Sequence, residues 1–168
     1  MAVRAIVKYP DAALARATES VERFDAELEM LASNLLDTIR AAPGIGITGP
    51  HIGVLQRVTV IEIDRKAGPT TYVNPEVLWS SDETVSHAEG SVSMPGISED
   101  VTRPARVRVS YQTLAGERIE IEAHGLLAVC LQHEIDQLDG IFWLQRLSRL
   151  KRDRAIKRFS ALQRRQAL

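Results

Sequence analysis

Apolar residues recur at three- and four-residue steps in two segments of the chain, which predicts two helices. The first segment follows Asp25, a suitable N-cap, and Pro43-Gly44 ends it. Its apolar positions are Leu28, Leu31, Ala32, Leu35, Leu36 and Ile39. The second segment runs over about residues 125–139, and its wide apolar coverage predicts a buried helix. That helix would carry His133 and Glu134 into the interior.

Three other segments have the residue types of β-strands. Residues 58–63 are rich in β-branched side chains. In residues 107–111 and 118–122, apolar and polar side chains alternate more regularly. Thr113-Leu114-Ala115-Gly116 lies in the connection between the two segments, which predicts an antiparallel hairpin. Strands and helices follow one another without regular alternation, so the predicted class is α+β. We expect one domain over residues 1–168, because no repeat or linker interrupts the pattern.

Composition limits the class further. Of 168 residues, 45% are hydrophobic and 26% are charged, as in ordinary globular proteins. No apolar run is long enough to span a bilayer. The apolar N-terminal segment is interrupted by Lys8, Pro10 and Asp11, so it does not resemble a signal peptide. A single cysteine, Cys130, fits a reducing compartment. We therefore expect a cytoplasmic protein without a membrane partner.

Charge is distributed unevenly along the chain. Residues 145–168 contain nine Lys or Arg and one Asp, a net charge of +8, whereas the remainder has 12 basic and 21 acidic residues, a net charge of -9. This tail predicts a basic amphipathic C-terminal helix, and its apolar side is assigned to Leu147, Leu150, Ile156, Phe159 and Leu162. Such a helix favours contact with a polyanion, although a solvated helix face is the alternative.

One segment lies close to a known metal motif. His133-Glu134-Ile135-Asp136-Gln137 differs from H-E-x-x-H only at its last residue. In that motif two histidines four residues apart share one face of a helix and bind one ion, and the Glu is the general base. Gln137 stands where the second histidine is required, so the predicted metal site is incomplete.

Three separated segments together match the motifs of one protein family. Gly44-Ile45-Gly46-Ile47-Thr48-Gly49-Pro50-His51 resembles G-φ-G-φ-A-A-x-Q, Glu89-Gly90-Ser91-Val92-Ser93 resembles E-G-C-φ-S, and Gln132-His133-Glu134-Ile135-Asp136-Gln137 resembles Q-H-E-φ-D-H. In order and spacing, these segments resemble the three motifs of the peptide deformylase family. The resemblance implies antiparallel or mixed β-sheets around a central buried helix with His133-Glu134, plus a C-terminal helix. It also implies hydrolytic removal of the formyl group from the N-terminal formyl-methionine of nascent peptides.

The resemblance implies a divalent ion, Fe2+, Zn2+ or Ni2+, held by a cysteine and two histidines. His133 and Glu134 match the family pattern. Ser91 and Gln137 stand at the other two ligand positions, and His51 stands where a glutamine holds the developing oxyanion.

The remaining site assignments also come from the resemblance. Gly46 is counted with Glu134 and His51 among the catalytic positions. An apolar pocket for the methionine side chain is assigned to Ile45, Val92, Leu126, Val129 and Cys130. We expect Cys130 to pack rather than react, and His124 to lie at the surface or at a strand edge.

The substituted ligands lead to several hypotheses. An alcohol and a carboxamide are neutral, weak donors for Fe2+ or Zn2+, so we expect the metal to be absent or weakly bound and deformylation to be weak or lost. A relocated metal site is the alternative: His51 or His87 would join His133, with Glu134 or Asp136 nearby. Ser91 beside His133 also suggests a nucleophile, but the sequence contains no evident orienting acid for this pair.

Two non-enzymatic roles are open as well. One is a module that binds the N-terminal formyl-Met of nascent peptides and contacts the ribosome through the basic C-terminal helix, with no specific DNA partner. The other is a regulatory paralogue that competes with a true deformylase for substrate or ribosome sites.

Overall fold

The structure, a computed structural model, describes residues 2–168. Within this range the elements are α1 (Ala26–Ala41), β1 (Gly46–Thr48), β2 (Val58–Ile61), β3 (Thr70–Ser80), β4 (Thr84–Ser91), β5 (Met94–Pro104), β6 (Arg106–Gln112), β7 (Arg118–His124), α2 (Gly125–Leu138) and α3 (Arg149–Gln166). Short 3-10 helices are formed by Ala12–Ala15, Gly49–Ile52 and Trp143–Arg146. The predicted α+β class is confirmed.

The strands form two antiparallel sheets. One sheet has the strand order β1-β2-β3-β6-β7, and β4 and β5 pair separately as a two-stranded sheet. The predicted hairpin is β6 and β7, with Val109 opposite Ile121. The predicted strand over residues 58–63 ends at Ile61, since Ile63 is already 40% exposed in the following loop.

Helix α1 forms where the periodicity predicted it. The Asp25 carboxylate accepts the backbone N–H groups of Glu27 and Leu28 at 3.1 and 3.2 Å, which satisfies two of the donors at the start of the helix. Its apolar face packs against β1 and β2 in a cluster that includes Leu35, Ile39 and Val60. The loop that follows α1 is thereby fixed next to β1, where the candidate site begins.

Helix α2 is the central element. It contacts both sheets, and ten of its residues from Ala128 to Leu138 are buried, including Glu134, Asp136 and Gln137. Its wide apolar coverage is therefore explained by packing on several sides. His124 is exposed and forms the N-cap position of α2, in agreement with its expected place at a strand edge.

The C-terminal helix is shorter than predicted. The expected helix over residues 145–168 is divided into a 3-10 turn and α3, which begins after the N-cap Ser148. Phe159 and Ala155 are buried against β5, but Leu150 is 76% exposed. Placing Leu150 on the apolar side was wrong: nine residues are about two and a half helical turns, so it lies opposite Phe159. No helix within residues 2–168 has the length and apolar character needed to cross a membrane.

Candidate functional site

A cavity of about 580 Å³ lies between the residues around β1, the end of β4 and helix α2. It is lined by all but one of the site residues that the sequence predicted, namely Ile45, Gly46, His51, Ser91, Val92, Leu126, Val129, Cys130, His133 and Glu134. The exception is Gln137. Sequence motifs that are distant along the chain therefore meet at one place, although their predicted chemical roles remain predictions.

Helix α2 supplies the buried wall of the cavity. Residues 130, 133, 134 and 137 lie on one side of α2 because steps of three and four residues return to the same face. Val129 and Cys130 are only 5% and 7% exposed. Burial raises the pKa of the Cys130 thiol to about 12, and the charge of Glu134 adds to the effect. The thiol is therefore un-ionised at neutral pH, in agreement with a packing role.

His133 is oriented by a carboxylate that the sequence analysis gave no role. Its Nδ1 lies 2.8 Å from Oε1 of Glu89. Burial alone would raise the pKa of Glu89, but hydrogen bonds from His133 and Arg103 outweigh it and lower the pKa to about 2. An ionised carboxylate only accepts hydrogen bonds, so the proton of the neutral His133 ring lies on Nδ1. Burial opposes ionisation of His133, but the hydrogen bond to Glu89 outweighs it and raises the pKa of the ring, so the lone pair of Nε2 is available to a partner in the cavity when the ring is deprotonated.

Arg103 connects this carboxylate to a second one. It donates to both oxygens of Glu89 at 2.6 and 2.8 Å and to Oδ2 of Asp136 at 2.9 Å. Arg146 donates to both oxygens of Asp136 at 2.8 and 2.7 Å. The side chains of Glu89 and Arg103 are 4% and 5% exposed, so the network is buried and holds β4, β5 and α2 together. Glu89 could have been suspected from its place at the start of the E-G-S-V-S motif, whereas no local sequence signal marks Arg103 as its partner.

His51 is fixed with one ring nitrogen unpaired. The backbone N–H of Thr48 donates to Nδ1 of His51 at 2.9 Å, so the ring proton lies on Nε2. Burial, together with the charge of His133, lowers the pKa of His51 to about 3. The ring is thus neutral at physiological pH. Within residues 2–168, Nε2 has no hydrogen-bond partner although the side chain is buried, which leaves one N–H donor available to a ligand.

The two substituted ligand positions behave differently. The hydroxyl of Ser91 lines the cavity and accepts the backbone N–H of Ser93 at 3.1 Å. The amide nitrogen of Gln137 instead donates to the carbonyl oxygen of Leu14 at 2.8 Å, and the residue is 2% exposed. Gln137 therefore connects α2 to the N-terminal segment rather than lining the cavity.

The relocated metal site is not assembled in the part of the chain that the structure describes. His87 is exposed at the cavity rim, with Nδ1 2.7 Å from the carbonyl of Ala88. Both oxygens of Asp136 are engaged by arginines. Among residues 2–168, no group of three or more His, Cys, Asp or Glu side chains is placed to hold an ion.

Glu134 lies against the backbone of Gly46. A Cβ atom at position 46 would be 2.6 Å from Oε1 of Glu134, so a larger residue there would displace the carboxyl group. Burial raises the pKa of Glu134 to about 7, and Oε2 has no hydrogen-bond partner within residues 2–168. The predicted assignment of Gly46 to the site thus has a steric basis. Glu134 is a proton donor or acceptor near neutral pH.

We expect Glu134→Gln to raise the free energy of unfolding at pH 8 by about 3 kcal/mol and to change it little at pH 4. The pKa of Glu134 is raised from 4.5 to about 7 in the folded chain, so its contribution to stability is present below pH 4.5 and is lost as pH rises through 7. Urea unfolding of both chains at the two pH values measures the difference. Glu122→Gln removes an exposed carboxylate and is the matched control. Equal effects of the two substitutions at pH 8 would contradict the assignment.

Comparison with known proteins gives a consistent result. The family model for polypeptide deformylase matches residues 3–153. A "peptide deformylase-like" protein of Rhizobium meliloti is 62% identical, over 99% of this chain and 97% of that protein. A peptide deformylase of Phenylobacterium zucineum is 45% identical, over 94% of this chain and 95% of that one. The crystal structure of a peptide deformylase from Legionella pneumophila superposes with a TM-score of 0.92 at 38% identity, over 99% of this chain and 98% of that one.

Proposed function

This chain belongs to the polypeptide deformylase family, and we propose that it binds the N-terminal methionine of formylated peptides while catalysing little or no metal-dependent deformylation. The observation that carries the proposal is the position of Gln137. In the family pattern this residue is a histidine ligand, but here its amide donates to Leu14. The apolar wall of the cavity is retained at the same time.

The residues at the ligand positions do not fit the divalent ion of the family. Only His133 presents an imidazole with an available nitrogen. Ser91 offers a neutral hydroxyl, which remains protonated at neutral pH. A four-ligand zinc site contributes roughly 10–16 kcal/mol, so two lost strong ligands weaken binding by about 5–8 kcal/mol, or about four to six decades of affinity. We infer that any Fe2+, Zn2+ or Ni2+ is held too weakly to support normal turnover.

The apolar wall supports the binding part of the proposal. Its residues are Ile45, Val92, Leu126, Val129 and Cys130, and the cavity volume suits a peptide terminus. Leu126 and Ile45 are 37% and 38% exposed, which leaves them accessible at the mouth of the cavity. Burying a methionine side chain there contributes about 1.5–3 kcal/mol, which does not depend on a metal.

We expect Leu126→Glu to weaken binding of a formyl-Met tripeptide by about tenfold or more, because a methionine side chain would then have to desolvate a carboxylate. The residue is partly exposed, so the folded chain tolerates the change. Isothermal titration calorimetry with the metal-free protein measures the dissociation constant. Leu150→Glu, which is the same substitution at a 76% exposed position on α3, is the matched control. Equal affinities of the two variants would refute the pocket assignment, and a wild-type chain that binds no formyl-Met peptide would refute the proposed function.

We also propose that α3 brings the protein to the ribosome, in the cytoplasm, where formylated chains emerge. Part of the basic charge is used internally: Arg154 and Arg158 both donate to Glu99, which also anchors the helix to β5. Arg152, Arg164 and Arg165 are among the basic residues left for a polyanion. Cosedimentation with ribosomes at increasing salt tests this contact, which should weaken steeply; binding that salt does not change would argue against it.

A further inference from the structure

We propose that Ser91, His133 and Glu89 form a nucleophile, a base and an orienting acid for metal-independent acyl transfer in the cavity. The inference rests on the proposed function only for the ligand, an acyl compound with an apolar group next to its carbonyl. The sequence left a Ser–His pair without an orienting acid. The structure places Glu89 in that position, which makes this chemistry testable.

The orientation of His133 is the first support. Its Nδ1 donates to Glu89 at 2.8 Å, and Glu89 is itself held by two hydrogen bonds from Arg103. The ring is therefore fixed, and Nε2 is left as the basic nitrogen on the side of the cavity that His133 lines. A hydrogen bond between a carboxylate and Nδ1–H is the arrangement that holds the base in serine hydrolases of several folds.

Ser91 is placed to serve as the nucleophile. Glu89 and Ser91 are two residues apart at the end of β4, and a register irregularity lies between them. Both residues line the cavity with His133. Among the hydrogen bonds of residues 2–168, the Ser91 hydroxyl only accepts, from the N–H of Ser93, so its proton remains to be given to a base. Catalysis requires Ser91 to turn toward Nε2 of His133 when an acyl group enters.

His51 supplies the third component. Its Nε2–H is buried, unpaired within the described chain and part of the wall of the same cavity. A donor fixed in a dry site stabilises a developing oxyanion, and loss of one such donor typically slows acyl transfer by about 10²–10³-fold. The ring is held by Thr48 and carries no charge, so it donates without competing as a base.

The reaction balances with these groups alone. Ser91 Oγ forms a bond to the carbonyl carbon, and its proton passes to Nε2 of His133. The carbonyl oxygen becomes an oxyanion next to the N–H of His51. The bond to the leaving group then breaks, and that group takes the proton from His133, leaving an acyl ester on Ser91. Water attacks the ester through the same steps and releases the acid. Esters should react before amides, because an alkoxide leaving group needs less protonation.

Covalent labelling tests the proposal directly. The intact protein, kept in excess chelator, is incubated with an alkyl fluorophosphonate, and the adduct is located by mass spectrometry. We expect one phosphonylated residue, Ser91, and no adduct in Ser91→Ala. Ser93→Ala is the matched control, since Ser93 is buried and does not line the cavity. An adduct located on Cys130 instead of Ser91 would overturn the proposal.

Two further variants separate the base from its positioning residue. His133→Asn should lower the labelling rate by about 10²-fold or more, because the general base is removed. Glu89→Gln should lower the maximal labelling rate by a similar factor while the probe concentration at half-maximal rate stays unchanged. A residue with a purely structural role would change both quantities or neither.

The outcomes distinguish this inference from the proposed function. The inference is supported if the Ser91 adduct forms in the presence of chelator and forms more slowly in His133→Asn and in Glu89→Gln. If the unaltered protein binds formyl-Met peptide but gives no Ser91 adduct, the inference is overturned and the proposed function still stands. Equal labelling of wild type and Ser91→Ala, or labelling that requires an added divalent ion, also overturns it. A Ser91 adduct in unaltered protein that binds no formyl-Met peptide refutes the proposed function and its ligand class but supports the assignment of Ser91 as the nucleophile.

Discussion

Ser91→Cys combined with Gln137→His should give a chain that binds one divalent transition ion about four to six decades more tightly than the unaltered protein. The pair replaces the Ser91 hydroxyl by a thiolate, and the Gln137 carboxamide, which lies on the same side of α2 as His133, by an imidazole. We also expect chelator-sensitive deformylation of a formyl-Met peptide, with Glu134 next to the restored site. Competition with a metallochromic chelator measures affinity, and release of formate measures turnover.

The single variants are the controls for this prediction. Gln137→His alone loses its hydrogen bond to Leu14, which costs about 1 kcal/mol of stability, and gains only one ligand. Each single variant should therefore bind the ion with intermediate affinity. A folded double variant that binds no more tightly than wild type would show that the ligand positions are not the cause of the deficit. If the ion binds but turnover stays absent, His51 is the next residue to restore, as His51→Gln.

Arg103→Met should lower the free energy of unfolding by about 3–5 kcal/mol, because it leaves the buried Glu89 carboxylate without its arginine and removes one of the two arginines that pair with Asp136. Glu89 and Asp136 have 4% and 12% exposed side chains, so water cannot replace the lost partner. Urea denaturation at pH 7 measures the change. In the same variant the His133 ring should be less firmly oriented, because Glu89 positions it.

Arg106→Met is the matched control for Arg103. Arg106 is 50% exposed and its nearest carboxylate contact, to Glu122, is 3.9 Å long. Exposed pairs of this kind contribute about 0–1 kcal/mol, so the control should unfold almost as wild type does. Comparable losses in the two variants would mean that the buried network does not stabilise the fold as described.

Helices α1 and α2 were predictable because each buries a face with a regular period. Strands β3 and β5 were not, for local reasons. In β3, Asn74 has a positive φ of 51° and Pro75 follows it, and the pairing with β6 shifts register there. In β5, Gly96 also has a positive φ. Such irregularities break the two-residue alternation on which strand prediction depends.

The residue types of the site could be predicted, but their partners could not. The family resemblance identified ten of the residues that line the cavity, and seven of them lie within the three motifs. The hydrogen bond of Gln137 joins residues 123 apart in sequence, and that of His133 joins residues 44 apart. No periodicity or motif encodes such contacts, which depend on how α2 packs against the N-terminal segment and β4. The roles of Glu89 and Arg103 emerge only from that packing.

Metal analysis of the purified, unaltered protein, made together with a formyl-Met turnover assay, tests the central claim most directly. Because Ser91 and Gln137 are poor ligands, we predict far less than one transition ion per chain and no turnover that a chelator can abolish. Close to one tightly held ion per chain, with rapid formate release that the chelator stops, would contradict the account.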